Sequence, residues 1–181
     1  MVITAIVLDE SESMTENREI AIKSFNRLLK NQQLVVPDTD DKFYLTIFNH
    51  KIRLVADGKQ LSDVKRLKTS DYAPDGSTKL YDAIGRTMNR IEKHEKDNNI
   101  LFIIITDGED TSSKYFSKQQ IFTMIKEKQK TPNWHFKYCG INSKSWRENA
   151  NICDTVEWND KKIDAAISQI STQMSTFRSS H

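Results

Sequence analysis

The sequence predicts an α/β domain: a doubly wound, mostly parallel central sheet with one antiparallel edge strand and helices on both faces. Three observations predict it. Two apolar runs, Val2 to Leu8 and Ile100 to Ile105, have the unbroken hydrophobicity of strands covered on both sides. Segments with apolar residues at helical spacing alternate with strand-like segments along the whole chain. Both long runs stop abruptly at acidic and hydroxyl residues, Asp9-Glu10-Ser11-Glu12-Ser13 and Thr106-Asp107-Gly108-Glu109-Asp110.

The elements follow in order. After the first strand, Ala21, Phe25, Leu28 and Leu29 form one apolar stripe, and Ser13 with Glu16 three residues on reads as a capping box that starts this helix just after Ser13. The helix ends before Pro37. Lys42 to Phe48 is a second strand with Phe43, Leu45 and Ile47 alternating, and Asn49-His50 turns it back into a third strand, Ile52 to Ala56. Asp57-Gly58 is a turn signal, and Tyr72 to Thr78 is loop chemistry. Leu80, Ile84, Thr87, Met88 and Ile91 mark a second helix, which leads into the apolar strand from Ile100. Ser117 with Gln120 caps a helix carrying Ile121, Met124 and Ile125. Trp134 to Gly140 is a strand, Ser143 to Asn151 a short helix, and Thr155 to Trp158 a short last strand. Ile163, Ile167, Ile170, Met174 and Phe177 form the stripe of a closing helix.

With 181 residues, 37% hydrophobic and 29% charged, the chain can bury a substantial core, and residues 1–181 read as one domain. A net charge of only +2 gives no reason to expect nucleic acid or an anionic membrane as partner. No apolar run approaches the roughly 20 residues of a membrane span. The N-terminal strand lacks the basic start and cleavage site of a secretory signal, so the expected location is cytoplasmic. Cys139 and Cys153 cannot make a disulfide framework and read as two buried thiols. His50, His94, His135 and His181 show no ligand spacing.

Ligands of an open α/β sheet bind beyond the carboxyl ends of the strands, where the strand order reverses. Asp9, Ser11 and Ser13 follow the first strand, Asp107 follows the central one, and Ser77 and Thr78 precede the second long helix. If the two long strands are neighbours, these segments share one sheet edge. Two carboxylates with three hydroxyls are hard oxygen donors of the kind Mg²⁺ takes. At about 5 Å apart, two bare carboxylates repel by roughly 3 kcal/mol at an effective dielectric near 20, and a divalent ion removes that repulsion. Ser77 reads as a loop residue beside this set, Lys79 and Asp82 as solvated helix-start residues, and Tyr115-Phe116 as local core. Glu10, Glu12, Asp75, Glu109 and Asp110 read as solvated loop charges that could form an acidic rim.

The run Asp9-Glu10-Ser11-Glu12-Ser13 resembles the D-x-S-x-S motif of von Willebrand factor A domains. Gly76-Ser77-Thr78-Lys79-Leu80-Tyr81-Asp82-Ala83-Ile84 is similar to the family's threonine segment, and Ile103-Ile104-Ile105-Thr106-Asp107-Gly108 to its strand ending in T-D-G. The resemblance implies a metal-ion-dependent adhesion site (MIDAS) in which Asp9, Ser11, Ser13, Thr78 and Asp107 hold Mg²⁺, or Mn²⁺ or Ca²⁺, directly or through water. It implies an open coordination position filled by an Asp or Glu carboxylate of a protein partner, with Glu10, Glu12, Asp75, Ser77, Glu109 and Asp110 around it. It further implies a stand-alone intracellular adaptor rather than an enzyme, since compact relatives act as adaptors, some beside ring-forming ATPases. The rival reading is a Mg²⁺-dependent phosphatase or phospho-acceptor domain using Asp9. A phosphatase of that type needs a second carboxylic acid two residues after its nucleophile, where this chain has Ser11.

Overall fold

In the computed structural model, residues 1–35, 40–95, 97–157 and 163–181 are described. The strands among them are β1 (Val2–Asp9), β2 (Lys42–Phe48), β3 (Ile52–Gln60), β4 (Asn99–Thr106), β5 (Trp134–Gly140) and β6 (Asp154–Glu157). The helices are α1 (Arg18–Val35), α2 (Leu80–Glu95), α3 (Lys118–Gln129), α4 (Ser143–Ala150) and α5 (Ile163–Ser180). The strands form one sheet in the order β3-β2-β1-β4-β5-β6, parallel except for β3, which runs antiparallel on its edge.

The continuous hydrophobicity of β1 and β4 has the expected cause. Ile6 and Leu8 of β1 and Leu101, Ile103 and Ile105 of β4 pack on one face with Phe25, Leu28 and Leu29 of α1 and Ile163, Ile167, Ile170 and Met174 of α5. The alternate residues, Ile3, Ala5, Val7, Ile100, Phe102 and Ile104, pack on the other with the stripes of α2 and α3 and with Trp146 of α4. Because successive strand residues point to opposite faces, covering both sides buries every position, and β1 holds only the small hydroxyl residue Thr4 between its apolar side chains. A buried ion pair, Arg178 Nε to Asp41 Oδ2 at 3.0 Å, ties α5 to the start of β2, and Asp41 Oδ1 accepts the Val2 N–H of β1.

Several local expectations are corrected. Ser13 does not cap α1: residues Glu12–Thr15 form a 3-10 turn, and α1 begins at Arg18. Asp57-Gly58 does not end β3. The strand continues to Gln60, and Gly58 sits at φ +62° beside a register irregularity that keeps the pairing with β2. A Cβ there would also meet the Tyr44 hydroxyl at 2.8 Å. The Ser117–Gln120 capping box is present with both of its hydrogen bonds. Cys139 is buried but Cys153 is exposed. The expected helix end before Pro37 and strand end at Trp158 lie outside the described residues. Among the described residues no helix is long and apolar enough to cross a membrane.

Candidate metal centre

The strand order reverses between β1 and β4, and their parallel pairing brings their carboxyl ends side by side. Asp9 is the last residue of β1 and is fully buried. Its Oδ1 accepts the Ser11 N–H at 2.7 Å, and its Oδ2 accepts the Thr106 hydroxyl at 2.5 Å from the end of β4. The Tyr72 hydroxyl donates to the Asp9 carbonyl at 2.6 Å, which fixes the backbone where the chain leaves the sheet. The 3-10 turn then folds the chain back, so that Ser11 Oγ and Ser13 Oγ lie 3.0 Å apart. Ser13 Oγ donates to Asp107 Oδ1 at 2.6 Å across the β1–β4 crevice. The Ser13 hydroxyl thus faces the site, and the capping role expected for it is absent.

Thr78 enters from a third segment. Its N–H donates to Thr111 Oγ1, and its carbonyl accepts the N–H groups of Thr111 and Ser112. Its side chain and that of Ser13 flank Gly108: a Cβ built there would lie 3.7 Å from Ser13 Oγ and 4.0 Å from Thr78 Oγ1. All five residues named from the sequence therefore gather at one end of the sheet, on three loops. Two backbone bonds, Glu12 N–H to the Gly76 carbonyl and Asp75 N–H to the Glu10 carbonyl, zip the first loop to the second. Gly76 adopts φ +68° at this crossing, where a Cβ would meet the His50 ring at 2.3 Å.

The electrostatics suit a cation. Burial pushes the Asp9 carboxyl up to about 6 from 3.8, the Asp107 charge adds to the rise, and the bonds from Thr106 and Ser11 oppose it. The groups that donate to Asp9 are neutral, the Ser11 N–H and the Thr106 hydroxyl, and among the described residues no Lys or Arg pairs with it. Among the described residues no group of three or more His, Cys, Asp or Glu side chains converges; the oxygens gathered at this edge are those of two carboxylates and three hydroxyls. That set fits a hard divalent ion, whose charge the two carboxylates would balance.

The expected rim divides. Glu12, Asp75, Ser77 and Glu109 are exposed, with Ser77 Oγ 2.8 Å from Ser112 Oγ and Glu109 accepting from the Asn142 amide. Glu10 is not a solvated charge. It is 3% exposed, its carboxylate pairs with Arg53 at 2.8 and 2.9 Å, and it accepts the Ala73 N–H at 2.6 Å. Asp110 is half-buried and accepts the N–H groups of Tyr81 and Ser113. Asp82 is fully buried rather than solvated, and accepts the N–H groups of Lys114, Tyr115 and Phe116. Tyr115 is exposed under the Arg86 guanidinium, while the Phe116 ring packs over Gly85. Two supporting residues, Thr106 and Tyr72, have no role assigned from the sequence, and a third, Asp82, is expected there only as a solvated helix-start residue. Only Thr106 carried a signal, its place between the apolar run and Asp107.

The von Willebrand factor type A domain family matches residues 5–157. The chain belongs to that family. Among solved structures, the VWA domain of SpRpn10 is similar at 12% identity and a TM-score of 0.69, over 93% of this chain and 95% of that one. BatB from Bacteroides thetaiotaomicron is similar at 16% identity and a TM-score of 0.64, over 99% and 100%. Proximal thread matrix protein 1 of the mussel byssus, described with a zinc-occupied MIDAS motif, is similar at 13% identity and a TM-score of 0.68, over 96% of this chain and 46% of that one. Identities this low establish the shared VWA fold alone. No curated protein matches the chain.

In this VWA domain the Asp9 environment has a pH consequence. The folded carboxyl is raised above its unfolded value of 3.8 to about 6, so in that window the folded state holds more proton than the unfolded one. Stability from this group is complete below about pH 4 and is lost as pH rises through about 6. In EDTA, wild type should therefore lose stability relative to Asp9→Asn between pH 4.5 and 7.5. Thermal melts of both proteins at both pH values check it; parallel changes would show that Asp9 is not strained by burial.

Proposed function

We propose that this VWA domain is a metal-dependent protein-binding module that takes one Asp or Glu carboxylate of its partner through a divalent ion, Mg²⁺ being the natural choice for this donor set. The observation that carries the reading is the convergence of Asp9, Ser11, Ser13, Thr78 and Asp107 beside Gly108. Two carboxylates neutralise a divalent ion and the hydroxyls add no charge, so the ion retains a field for one more anionic oxygen. Catalysis is not part of the proposal: Ser11 is buried and 3.0 Å from Ser13 Oγ, where a phosphatase would need an acid. The exposed Glu12 and Asp75 on one flank favour a partner with Lys or Arg beside its metal-binding carboxylate, and they should act on association rate and salt dependence. A cytoplasmic adaptor, with an ATPase or another complex component as partner, fits this reading.

The test is retrieval of a partner from native lysate in Mg²⁺. The captured protein should be released by EDTA, and Thr78→Ala should weaken its binding at least about tenfold, or 1.4 kcal/mol. The variant should keep its far-UV spectrum, because Thr78 contributes a hydroxyl rather than core packing. Capture that persists in excess EDTA would mean that recognition uses another surface.

A further inference from the structure

A second feature begins at the metal edge and leads away from it. A cavity of about 320 Å³ opens beside Gly108 and Glu109, with Lys118, Asn142, Ser145 and Trp146 among its walls. Lys118 also lines a shallower cavity of about 480 Å³, with Phe122, Lys126 and Asn149. The two share Lys118, and Ser145 and Asn149 are one turn apart on α4, so they form one groove between α3 and α4. Aromatic rings lie beneath it: Tyr138 stacks on Trp146 at 4.7 Å, and Phe122 meets Trp146 edge-on at 4.9 Å. Lys118, Phe122 and Lys126 recur every four residues, on one face of α3.

The charge in the groove is uneven. At the metal end the wall is acidic: exposed Glu109 accepts from the neutral Asn142 amide and Asp110 from Ser113 and backbone N–H groups, so the cationic part of the groove lies beyond them. Along α3, Lys128 pairs with Glu92 and Lys130 with Glu127, but Lys118 and Lys126 are exposed and pair with no described carboxylate. Lys118 instead lies over the Phe122 ring at 5.4 Å. Eight residues of helix separate the two lysines by about 12 Å, which about four residues of extended chain would span.

The geometry points to the α3–α4 groove as the seat of an extended acidic segment of the protein partner, entering beside Gly108 and placing carboxylates on Lys118 and Lys126. This rests on the metal-binding reading for the segment's first carboxylate, and adds the class of sequence that follows it. Two unpaired cations above an apolar floor favour side chains that bring a charge on a short apolar stem, glutamate above all.

The experiment uses a fluorescein-labelled peptide of about twelve residues, alternating glutamate and serine, read by fluorescence anisotropy at low salt in Mg²⁺. A peptide of alternating lysine and serine is the counterpart. The acidic peptide should bind and the basic one should not. Lys118→Glu with Lys126→Glu should weaken binding at least about tenfold. Lys30→Glu with Lys65→Glu changes net charge equally, at exposed positions that line neither cavity, and should change binding less than about twofold. If this control pair weakens binding as much as the groove pair, attraction is only to net charge and the groove is overturned. EDTA or Asp107→Ala should also weaken binding. Loss in EDTA without loss in the groove variant would keep the metal reading and sink the groove. Loss in the groove variant without loss in EDTA would keep the groove and sink the metal reading.

Discussion

Asp107→Ala is expected to abolish Mg²⁺-dependent stabilisation without weakening the metal-free fold. An ion bound only by the folded state at a hundred times its dissociation constant contributes about 2.7 kcal/mol. For a chain of this size that raises the melting temperature by about 5–10 °C. The wild-type protein should show that rise and calorimetry should give one site per chain. The variant lacks one of the two carboxylates, so both signals should disappear. In EDTA its stability should equal or exceed that of wild type, because the charge that repels buried Asp9 is gone. A second effect opposes this one: Asp107 Oδ1 accepts the Ser13 hydroxyl at 2.6 Å. Ser13 is exposed, so water can replace that bond at little cost. If Asp107→Ala keeps the Mg²⁺-dependent rise, the ion lies elsewhere.

What the sequence shows and hides follows from the range of each interaction. The strands β1 and β4 are legible because being covered on both faces demands an unbroken apolar run, and the helix stripes because one face is buried. The clustering of Asp9, Ser11, Ser13, Thr78 and Asp107 is legible because fold rules put strand ends at one edge, and the parallel β1–β4 register brings Asp9 and Asp107 together. What stays hidden depends on partners distant in sequence. Glu10 has the composition of a solvated loop charge, yet Arg53, 43 residues away, neutralises it. Ser13 followed by Glu16 has the form of a helix cap, but Asp107, 94 residues away, takes its hydroxyl. Asp57-Gly58 has the form of a turn, and only the pairing with β2 shows that Gly58 carries an irregularity inside a continuing strand. Asp82 is the largest such misreading: it has the form of a solvated helix-start residue, and no local pattern announces that its partners are three backbone amides.

Asp82→Ala is expected to be the most destabilising single change near the site. Oδ2 accepts the Lys114 N–H at 2.9 Å, and Oδ1 accepts those of Tyr115 and Phe116 at 2.8 and 2.9 Å. The Asp82 N–H donates to Ser113 Oγ, so the loop between β4 and α3 is strapped to the first turn of α2. A carboxylate there also faces the positive end of the helix. Burial alone would raise its pKa, but the amides of Lys114, Phe116 and Tyr115, aided by Arg86, hold the carboxyl below its ordinary value. Stability from Asp82 is therefore present above the unfolded value of 3.8 and is lost as pH falls through the lower folded one. Bonds to a charged acceptor contribute about 1.5–3 kcal/mol each, and part of that returns as the loop rehydrates, so the loss should be roughly 3 kcal/mol or more. Urea unfolding at pH 7 measures it. The same loop fixes Thr78 through the Thr111 hydroxyl and the Thr111 and Ser112 amides. Mg²⁺ affinity should accordingly fall in Asp82→Ala, although Asp82 is not one of the five donors. Hydrogen exchange should locate the damage at the amides of residues 114–116 before the rest of the sheet opens. A variant with wild-type stability and unchanged exchange at those amides would show that the strap contributes nothing to holding the third loop of the site.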